Sequence, residues 1–506
     1  MAVVDVSFRL SSDEENLSSL SRELSLPSLS SKILESRKMS SLWLLPPALV
    51  PAPPSTLSQL APSLLALGFD FGTSGVRAAV VDHRGNLVIP PLDFPFPKTV
   101  QKRQTHTDWM QALDTLIQDI PQEMRQRICR IAVSGTSSTV LLCDDSGQPI
   151  ASRGGPRMYD FSVAKQAPGD CGERALALLS ELAPARHITC SATSSLAKLV
   201  AWHMETPLAR GEQLVHQADF VAAQLMDVDD QSTFVSDWHN ALKLGYDVGN
   251  LCYPEWMKAG PLGQICNGRL PRVVPPGYPI ARVGRGLVEK WGFPPSCIVC
   301  GGTTDSNAAF LASNASQVGE AVTSLGSTLA IKMLSQSRVD DARMGVYSHR
   351  LGNMWLAGGA SNVGCAVLRE QGFTTEELMR LSPSILPLRK PLHPHYYPLP
   401  SAVTGERFPI ADDSRTSVLE PRPDSRSEFL HSILHGIARV EAEGYATLEK
   451  LGASKLRRVL TCGGGAANDE WTQMRQHMLG VPTERAPETE ACVGVALLAS
   501  RGGSFK

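Results

Sequence analysis

The most informative part of the sequence is residues 64–82, which read Leu64-Leu65-Ala66-Leu67-Gly68-Phe69-Asp70-Phe71-Gly72-Thr73-Ser74-Gly75-Val76-Arg77-Ala78-Ala79-Val80-Val81-Asp82. Two apolar runs separated by a Gly/Thr/Ser turn predict a β-hairpin. The turn contains Thr73 and Ser74, and its small residues expose backbone N–H groups and hydroxyls, the donors that surround a phosphate. Asp70 would point into the same space and could hold Mg²⁺ through water, since Mg²⁺ prefers oxygen ligands and keeps much of its hydration. The alternative is that the glycines simply form a tight hairpin.

A second copy of this pattern lies in the other half of the chain. It reads Glu320-Ala321-Val322-Thr323-Ser324-Leu325-Gly326-Ser327-Thr328-Leu329-Ala330-Ile331-Lys332. The two turns are 254 residues apart, counted from Gly72 to Gly326. Two such hairpins indicate an internal duplication. Gly326, Ser327 and Thr328 are therefore predicted to bind phosphate like the first turn.

A third segment between the hairpins carries a carboxylate at a helix start. It reads Ile298-Val299-Cys300-Gly301-Gly302-Thr303-Thr304-Asp305-Ser306-Asn307-Ala308-Ala309-Phe310, which predicts a buried strand, a loop and a helix. Asp305 could cap that helix through its side-chain oxygen, as could Thr304. A carboxylate at the exit of a strand could also take the proton from an attacking hydroxyl.

Two further turns follow predicted strands. Residues 458–462 lead into Gly463, Gly464, Gly465 and then Asn468, with a helix predicted from about Glu470 to Leu479. A strand, glycine turn and helix allow a flat group to approach the backbone, although a glycine triplet alone is weak evidence. The strand at 131–135 ends in a polar turn containing Ser137, a candidate for a hydrogen bond to a substrate in the crevice at the strand ends. A Ser that only stabilises the turn is the alternative.

The composition is that of an ordinary globular protein. The 506 residues are too many for one core and predict two or three domains. Net charge is −2, from 48 basic and 50 acidic side chains, so no broad basic field favours nucleic acid or an anionic membrane as a partner. The eleven scattered cysteines do not suggest a disulfide framework or a zinc site. Oligomeric state is not readable from these features.

The first sixty residues differ from the rest of the chain. Fifteen of them are Ser, and neither helical nor strand periodicity persists. The segment is predicted to be a chloroplast transit peptide, which places the protein in the stroma, with translation from Met1 or from Met39. A disordered tail without an address is the alternative. The apolar patch Leu42–Val50 is interrupted by two prolines and is too short for a membrane span.

In their order along the chain, these segments resemble the FGGY family of carbohydrate kinases, from about Leu65 to Leu498. The matching motifs are Asp70-Phe71-Gly72-Thr73-Ser74, Gly302-x-x-Asp305, Gly326-Ser327-Thr328, Gly405-Glu406-Arg407-Phe408-Pro409, and Gly464-Gly465 leading to Trp471 and Gln476. The resemblance implies an α/β chain with a two-domain actin-like, ribonuclease-H-like ATPase fold and an interdomain cleft. The expected division is a leader at residues 1–62, a sugar-side domain at 63–315 and a nucleotide-side domain at 316–502.

The resemblance also implies roles for the residues. ATP would lie in the cleft with its phosphates between the hairpin turns, and the Gly463–Gly465 loop would face the adenosine. Asp305 matches the family's catalytic base and binds the acceptor sugar, and Asp70 matches its substrate-side carboxylate associated with Mg²⁺. These parts suffice for phosphoryl transfer, which requires alignment and charge neutralisation more than covalent chemistry.

The acceptor is less well defined. Xylulose and glycerol kinases of the family carry a Trp-x-Asp-x-Arg-like segment, and the nearest equivalent here is Met158-Tyr159-Asp160-Phe161-Ser162, with Ser162 at the Arg position. The compact domains and the Gly-Thr-Ser-Ser-Thr turn resemble a plant and cyanobacterial branch described as xylulose-kinase-like. We therefore expect a ketopentose kinase, with D-ribulose ahead of D-xylulose. An actin-like ATPase that uses no sugar and a non-catalytic sugar sensor are the rival classes.

Overall fold

The computed structural model describes residues 64–101, 103–227, 234–385 and 388–503. The predicted leader at residues 1–62 lies outside the described residues. Among the described helices, none has both the length and the apolar character that a membrane crossing requires.

The described elements alternate between strands and helices, as expected for an α/β chain. The strands are β1 (Leu65–Phe71), β2 (Gly75–Val81), β3 (Leu92–Pro95), β4 (Ile128–Gly135), β5 (Val140–Cys143), β6 (Gln213–His216), β7 (Val235–Asp237), β8 (Arg272–Val274), β9 (Pro279–Arg282), β10 (Ile298–Cys300), β11 (Thr303–Thr304), β12 (Glu320–Leu325), β13 (Leu329–Ser335), β14 (Tyr347–Leu351), β15 (Met354–Ser361), β16 (Arg458–Cys462) and β17 (Thr483–Arg485). The helices are α1 (His106–Asp119), α2 (Gln122–Arg125), α3 (Val163–Gln166), α4 (Cys171–Leu182), α5 (Ser195–Glu205), α6 (Gln217–Gln224), α7 (Trp238–Ala241), α8 (Glu255–Lys258), α9 (Gly260–Cys266), α10 (Arg285–Trp291), α11 (Asp305–Ala312), α12 (Ala366–Glu370), α13 (Thr375–Leu381), α14 (Arg426–Lys450), α15 (Asp469–Leu479) and α16 (Ala491–Arg501).

Two sheets organise the chain. The first sheet has the order β3-β2-β1-β4-β10-β9, with β11 pairing with the end of β4, and the second has the order β14-β15-β13-β12-β16-β17. In the first sheet β1 pairs antiparallel with β2 and parallel with β4. In the second, β12 pairs antiparallel with β13 and parallel with β16. Both predicted hairpins are confirmed, and the repeated topology agrees with the duplication inferred from the sequence.

The strand β1 is buried along its whole length because apolar layers cover both of its faces. One layer includes Leu67 and Phe69 with α1, and the other includes Ala66 with residues of α16. The close approach of α16 requires glycine, since a Cβ on Gly68 would lie 2.2 Å from the Ala496 nitrogen. The helix α16 falls within the predicted nucleotide-side domain, residues 316–502, but packs on the first sheet.

Two further cores complete the fold. The second sheet packs against the long helix α14, whose buried face includes Ile433, Ile437 and Leu448. A separate core joins helices α4, α5, α8 and α9 and includes Leu179 and Leu199. The helices α4 and α5 lie in the insertion between β5 and β6, so this core is built from residues that follow the polar turn at the end of β4.

Candidate active site

The first hairpin turn is supported by a glutamine that the motifs did not identify. Gly72 donates its N–H to the Gly75 carbonyl at 3.0 Å, which closes the turn. The side chain of Gln104 donates to the carbonyls of Gly72 and Thr73 at 3.1 and 3.0 Å. Gln104 is itself fixed by Trp109, whose indole donates to its side-chain oxygen at 2.8 Å. The carbonyls on one side of the turn are thus occupied, while Ser74 is exposed.

The second hairpin turn has a cation beside it. Gly326 donates to the Thr328 carbonyl at 3.2 Å, and Ser327 and Thr328 are exposed. The guanidinium of Arg369 donates to the Ser327 hydroxyl at 2.7 Å. A guanidinium next to a turn of exposed donors suits a phosphate ligand, because Arg binds phosphate through well-directed hydrogen bonds.

Asp70 lies at the end of β1, where burial alters its acidity. Its carboxylate accepts a hydrogen bond of 2.6 Å from the Ser134 hydroxyl on the neighbouring strand β4. Burial raises the pKa of Asp70 to about 7; the Ser134 hydrogen bond opposes this rise and the Asp305 carboxylate adds to it. A carboxyl that titrates near neutrality responds strongly to a nearby cation, which favours its ionised form.

Asp305 begins α11 directly after β11, and β11 pairs with β4 at Ser134 and Gly135. The Asp305 carboxylate accepts a hydrogen bond of 2.7 Å from the Ser306 N–H. The residue preceding the helix is Thr304, which makes no side-chain capping bond. Burial raises the pKa of Asp305, and the Ser306 N–H, Lys332 and Lys243 oppose that rise. The sheet therefore brings Asp70 and Asp305 to the ends of strands that flank β4.

The Gly-rich segment after β16 lines a cavity of about 510 Å³. Of the residues predicted to bind nucleotide, the wall contains Gly326, Ser327, Gly464, Gly465 and Asn468. Its apolar part includes Leu368, Phe373, Leu378 and Met379. A cleft with an apolar wall, glycine backbone and a hairpin turn at one side suits an adenosine with phosphates leading away.

Some predicted nucleotide residues have structural tasks in this cavity. Asn468 caps α15 by accepting from the Trp471 N–H at 2.8 Å, and its amide donates to Ser382 at 2.7 Å, so its side chain shapes the wall. Gly463 has a φ of 84°, and a Cβ there would lie 2.6 Å from the Leu325 carbonyl. Neither Gly463 nor Thr328 is among the residues that line the cavity, and Thr73 and Ser74 lie in the other hairpin.

The polar turn after β4 is held by a buried lysine that no sequence motif singles out. Ser137 is partly exposed, whereas the hydroxyl of Ser138 is buried and makes no hydrogen bond to a described residue. The amine of Lys198 donates to the carbonyls of Ser138 and Met158 at 2.8 and 2.7 Å. Burial lowers the pKa of Lys198 to about 7. This contact joins the turn to the segment 158–162, the two regions in which acceptor specificity was expected.

A magnesium ion could be held by few protein ligands here. Among the described residues, no cluster of three or more His, Cys, Asp or Glu side chains forms a metal site. One oxygen of Asp70 accepts from Ser134, and no described residue donates a hydrogen bond to the other. A single carboxylate fits Mg²⁺, which commonly keeps several waters and takes phosphate oxygens as its other ligands.

Comparison with known proteins agrees with this geometry. Residues 321–502 match the model of the FGGY family of carbohydrate kinases, C-terminal domain. This segment of the chain carries the C-terminal domain of FGGY carbohydrate kinases. The match supports a phosphotransferase with an alcohol group as acceptor, and the two sheets form the two-domain actin-like fold of such kinases. Sugar kinases of this family use ATP, typically with Mg²⁺.

Solved structures of FGGY-type kinases share the fold at low sequence identity. A ligand-bound xylulose kinase from Lactobacillus acidophilus matches with a TM-score of 0.69 and 16% identity, over 87% of this chain and 89% of that chain. A xylulose kinase from Rhodospirillum rubrum matches with a TM-score of 0.68 and 19% identity, over 87% of this chain and 90% of that chain. A Plasmodium falciparum glycerol kinase with ADP matches with a TM-score of 0.70 and 15% identity, over 86% of this chain and 89% of that chain. At this identity the matches support the fold, and they leave the acceptor open.

Proposed function

We propose that this FGGY kinase transfers the γ-phosphate of ATP to a primary hydroxyl of a ketopentose, and that D-ribulose is preferred over D-xylulose. The observation that carries the proposal is the pair of carboxylates, Asp70 and Asp305, at the ends of strands flanking β4, together with two hairpin turns of exposed donors. A sensor would have no need of a base, and the segments Gly302–Asp305 and Gly405–Pro409 resemble sugar kinases rather than a polymer-forming ATPase.

In the proposed reaction Asp305 removes the proton from the sugar hydroxyl as its oxygen bonds to the γ-phosphorus. The bond from that phosphorus to the β,γ-bridging oxygen breaks, ADP leaves, and the proton remains on Asp305. Burial favours the protonated form of this carboxyl, while Lys332 and Lys243 favour the ionised form that accepts the proton. Bound Mg²⁺ at Asp70 would supply charge neutralisation at the phosphates.

The chain's own turns would align and shield the reactants. The N–H groups and hydroxyls at Thr73–Ser74 and Gly326–Thr328 would hold the phosphates from two sides, and Arg369 would add positive charge at the second turn. Exclusion of water is required because water would compete with the sugar hydroxyl. Closure of the cleft between the two domains is the usual means in enzymes of this type.

The ketopentose proposal rests on the turn after β4. Ser137 is a partly exposed residue of this turn and lies three residues after Ser134, the partner of Asp70. D-ribulose and D-xylulose differ at one hydroxyl-bearing carbon, so one well-placed hydrogen-bonding group can distinguish them. Ser162, in place of the arginine of xylulose and glycerol kinases, supports an acceptor other than theirs.

The test is to identify the product formed from ATP and a mixture of D-ribulose, D-xylulose and glycerol. We expect D-ribulose 5-phosphate, with a higher kcat/KM than for either competitor. Equal kcat/KM values for the two ketopentoses, or a clearly higher value for xylulose or glycerol, would contradict the proposed preference for ribulose. Such a result would not contradict the proposed kinase activity. ATP turnover that no sugar increases would instead favour the actin-like ATPase.

We also propose that residues 1 to about 60 direct the protein into the chloroplast stroma, because they are rich in Ser and precede the first core strand. A protein beginning near Ser63 should be soluble and active, and a reporter fused to the segment should enter chloroplasts. A reporter that stays in the cytosol would disprove the address. Inactivity of the shortened protein would show that the segment belongs to the fold.

A further inference from the structure

A lysine from the second sheet reaches the helix that carries the catalytic base. Lys332 lies in the middle of β13, paired with Val322 on one side and Gly358 on the other. Its amine donates to the Ser306 hydroxyl at 3.0 Å and to the Asn307 side-chain oxygen at 2.6 Å. Both acceptors lie in the first turn of α11, directly after Asp305. The two duplicated halves are therefore joined by this side chain next to the base.

The surroundings of Lys332 are shaped to receive a long side chain. A Cβ on Gly358 would lie 2.7 Å from the Ile331 carbonyl and 3.2 Å from Lys332 Cγ, so the glycine leaves space beside the lysine stem. Asn307 is buried, and its amide nitrogen has no hydrogen-bond partner among the described residues. The bond to Lys332 is thus the contact that fixes the Asn307 side chain, and its loss would leave a buried amide without a partner.

The charges around Asp305 come from three separate elements. Asp70 on β1 is the carboxylate that acts against it, and Lys332 on β13 and Lys243 after α7 are the cations that favour its ionised form. His239 and His349 also face this region, but burial lowers the pKa of each, so they are neutral at neutral pH. Of the two lysines, only Lys332 has a hydrogen bond to the helix that begins at Asp305 among the contacts of the described residues.

We propose that Lys332 is a positioning residue for phosphoryl transfer, which holds the first turn of α11 against the second sheet and supplies positive charge beside Asp305. The proposal goes beyond the family motifs, none of which contains Lys332. It rests on the proposed transfer to a sugar hydroxyl with Asp305 as base. Burial lowers the pKa of Lys332 to about 7; Lys243 adds to this, while Asp305 and Cys462 oppose it. The charge of Lys332 is therefore present in acid and fades as the pH rises through neutrality.

Lys332→Met keeps an apolar stem of similar length and removes both hydrogen bonds and the charge. We expect kcat to fall about ten- to a hundredfold, since hydrogen bonds from a charged group typically carry that effect. The acidic limb of the kcat/KM profile should also move to higher pH, because loss of a neighbouring cation raises the pKa of a carboxyl. Binding of an ATP analogue should change little, since Lys332 does not line the nucleotide cavity.

Three further variants separate positioning from charge. Ser306→Ala removes one acceptor but keeps the cation, so kcat should fall while the acidic limb stays in place. Lys332→Arg keeps a cation at all accessible pH values, so the acidic limb should remain close to that of the wild type. Lys290→Met removes an exposed lysine paired with Asp114 and serves as the control, with wild-type rate and profile expected.

The experiment uses the full chain with whichever sugar the wild type phosphorylates. If the proposed acceptor is wrong, the wild type will phosphorylate a different sugar. If the proposed role of Lys332 is wrong, the ratio of kcat values between variant and wild type will be close to one. Thermal unfolding and nucleotide binding establish that each variant is folded. If Lys332→Met does not fold, Lys332→Gln carries the same predicted shift of the acidic limb. An unchanged kcat together with an unchanged acidic limb would overturn the proposal. A fall in kcat without a shift in the acidic limb of the kcat/KM profile would overturn the proposal that Lys332 supplies positive charge beside Asp305.

Discussion

The first hairpin, β1–β2, and the second hairpin, β12–β13, are built alike but carry different side chains at the same place. Two residues before the first glycine of the turn lies Asp70 in one hairpin and Ser324 in the other. Their partners in the parallel neighbouring strand are Ser134 and Cys462. The first pair is a carboxyl and a hydroxyl, and the second has no ionised group at neutral pH, since burial raises the pKa of Cys462.

This difference shows how a duplicated backbone acquires two tasks. The hairpin with the carboxyl adjoins the base Asp305 and can attract a cation. The hairpin without it adjoins the glycine-rich cavity, and its charge comes from Arg369 instead. Behind the second turn, the buried Glu441 and Arg475 link β12 to β16 through Thr323 and Thr461. In the proposed reaction the first half therefore supplies the carboxylates, and the second half holds the nucleotide.

The largest effect is expected when the base is removed from the first half. Asp305→Ala should lower kcat by about 10²–10⁴-fold, the usual contribution of a general base, while binding of ATP stays largely intact. Steady-state kinetics and equilibrium nucleotide binding measure the two quantities. Turnover within about tenfold of the wild type would remove Asp305 from this role.

In the second half, the free energy of unfolding should fall when the buried ion pair is broken. Arg475 donates to both oxygens of Glu441 at 2.6 and 2.7 Å, and both side chains are fully buried. Arg475→Met leaves the Glu441 charge unpaired and should lower the free energy of unfolding by about 3–5 kcal/mol. The double variant, Arg475→Met with Glu441→Leu, should recover much of the lost stability. Denaturant titrations check this, and a single variant as stable as the wild type would contradict it.

Asp70→Ser gives the first hairpin the residue that the second one has. We expect turnover to fall by about tenfold or more and the Mg²⁺ concentration for half-maximal rate to rise, because the carboxylate proposed to favour the ion is gone. Ser324→Ala is the matched change in the second hairpin and should leave the magnesium titration unaltered. An unchanged titration for Asp70→Ser would exclude the metal role.

The last prediction concerns the two serines after β4. Ser137→Ala should reduce the preference for D-ribulose over D-xylulose by about ten- to a hundredfold, more than it changes ATP affinity, since an unpaired polar group costs about 1–3 kcal/mol. Ser138→Ala is the control, because that hydroxyl is buried and makes no hydrogen bond to a described residue. The measurement is the ratio of kcat/KM for D-ribulose to kcat/KM for D-xylulose. Equal effects of Ser137→Ala and Ser138→Ala on this ratio would indicate a disturbed turn rather than a lost hydrogen bond to the sugar.

The sequence predicted what depends on short patterns. Both hairpins, the strand before Asp305 and the helix beginning near Glu470 follow from apolar runs and glycine turns, and the structure confirms them. Asp70 and Asp305 come together because parallel neighbouring strands end at the same edge of the sheet, which topology rules anticipate.

The supporting residues could not be predicted because their partners are distant in sequence. Lys332 contacts residues 25 and 26 positions earlier, and Gln104 contacts a turn 31 and 32 positions earlier. Lys198 looks like a polar residue of an ordinary helix until its carbonyl partners, 60 and 40 positions away, are located. Such contacts are specified by tertiary packing, for which a single sequence carries no periodic signal.

The packing of α16 on β1 affects the order of events during biosynthesis. About 420 residues separate the end of β1 from the start of α16, as counted from Phe71 to Ala491. The strand β1, the first of the described strands, therefore keeps one apolar face uncovered until nearly all of the described chain has been translated. Contacts of such long sequence separation form slowly and leave the nascent chain prone to aggregation. The first sheet therefore completes its core only when α16 has been synthesised.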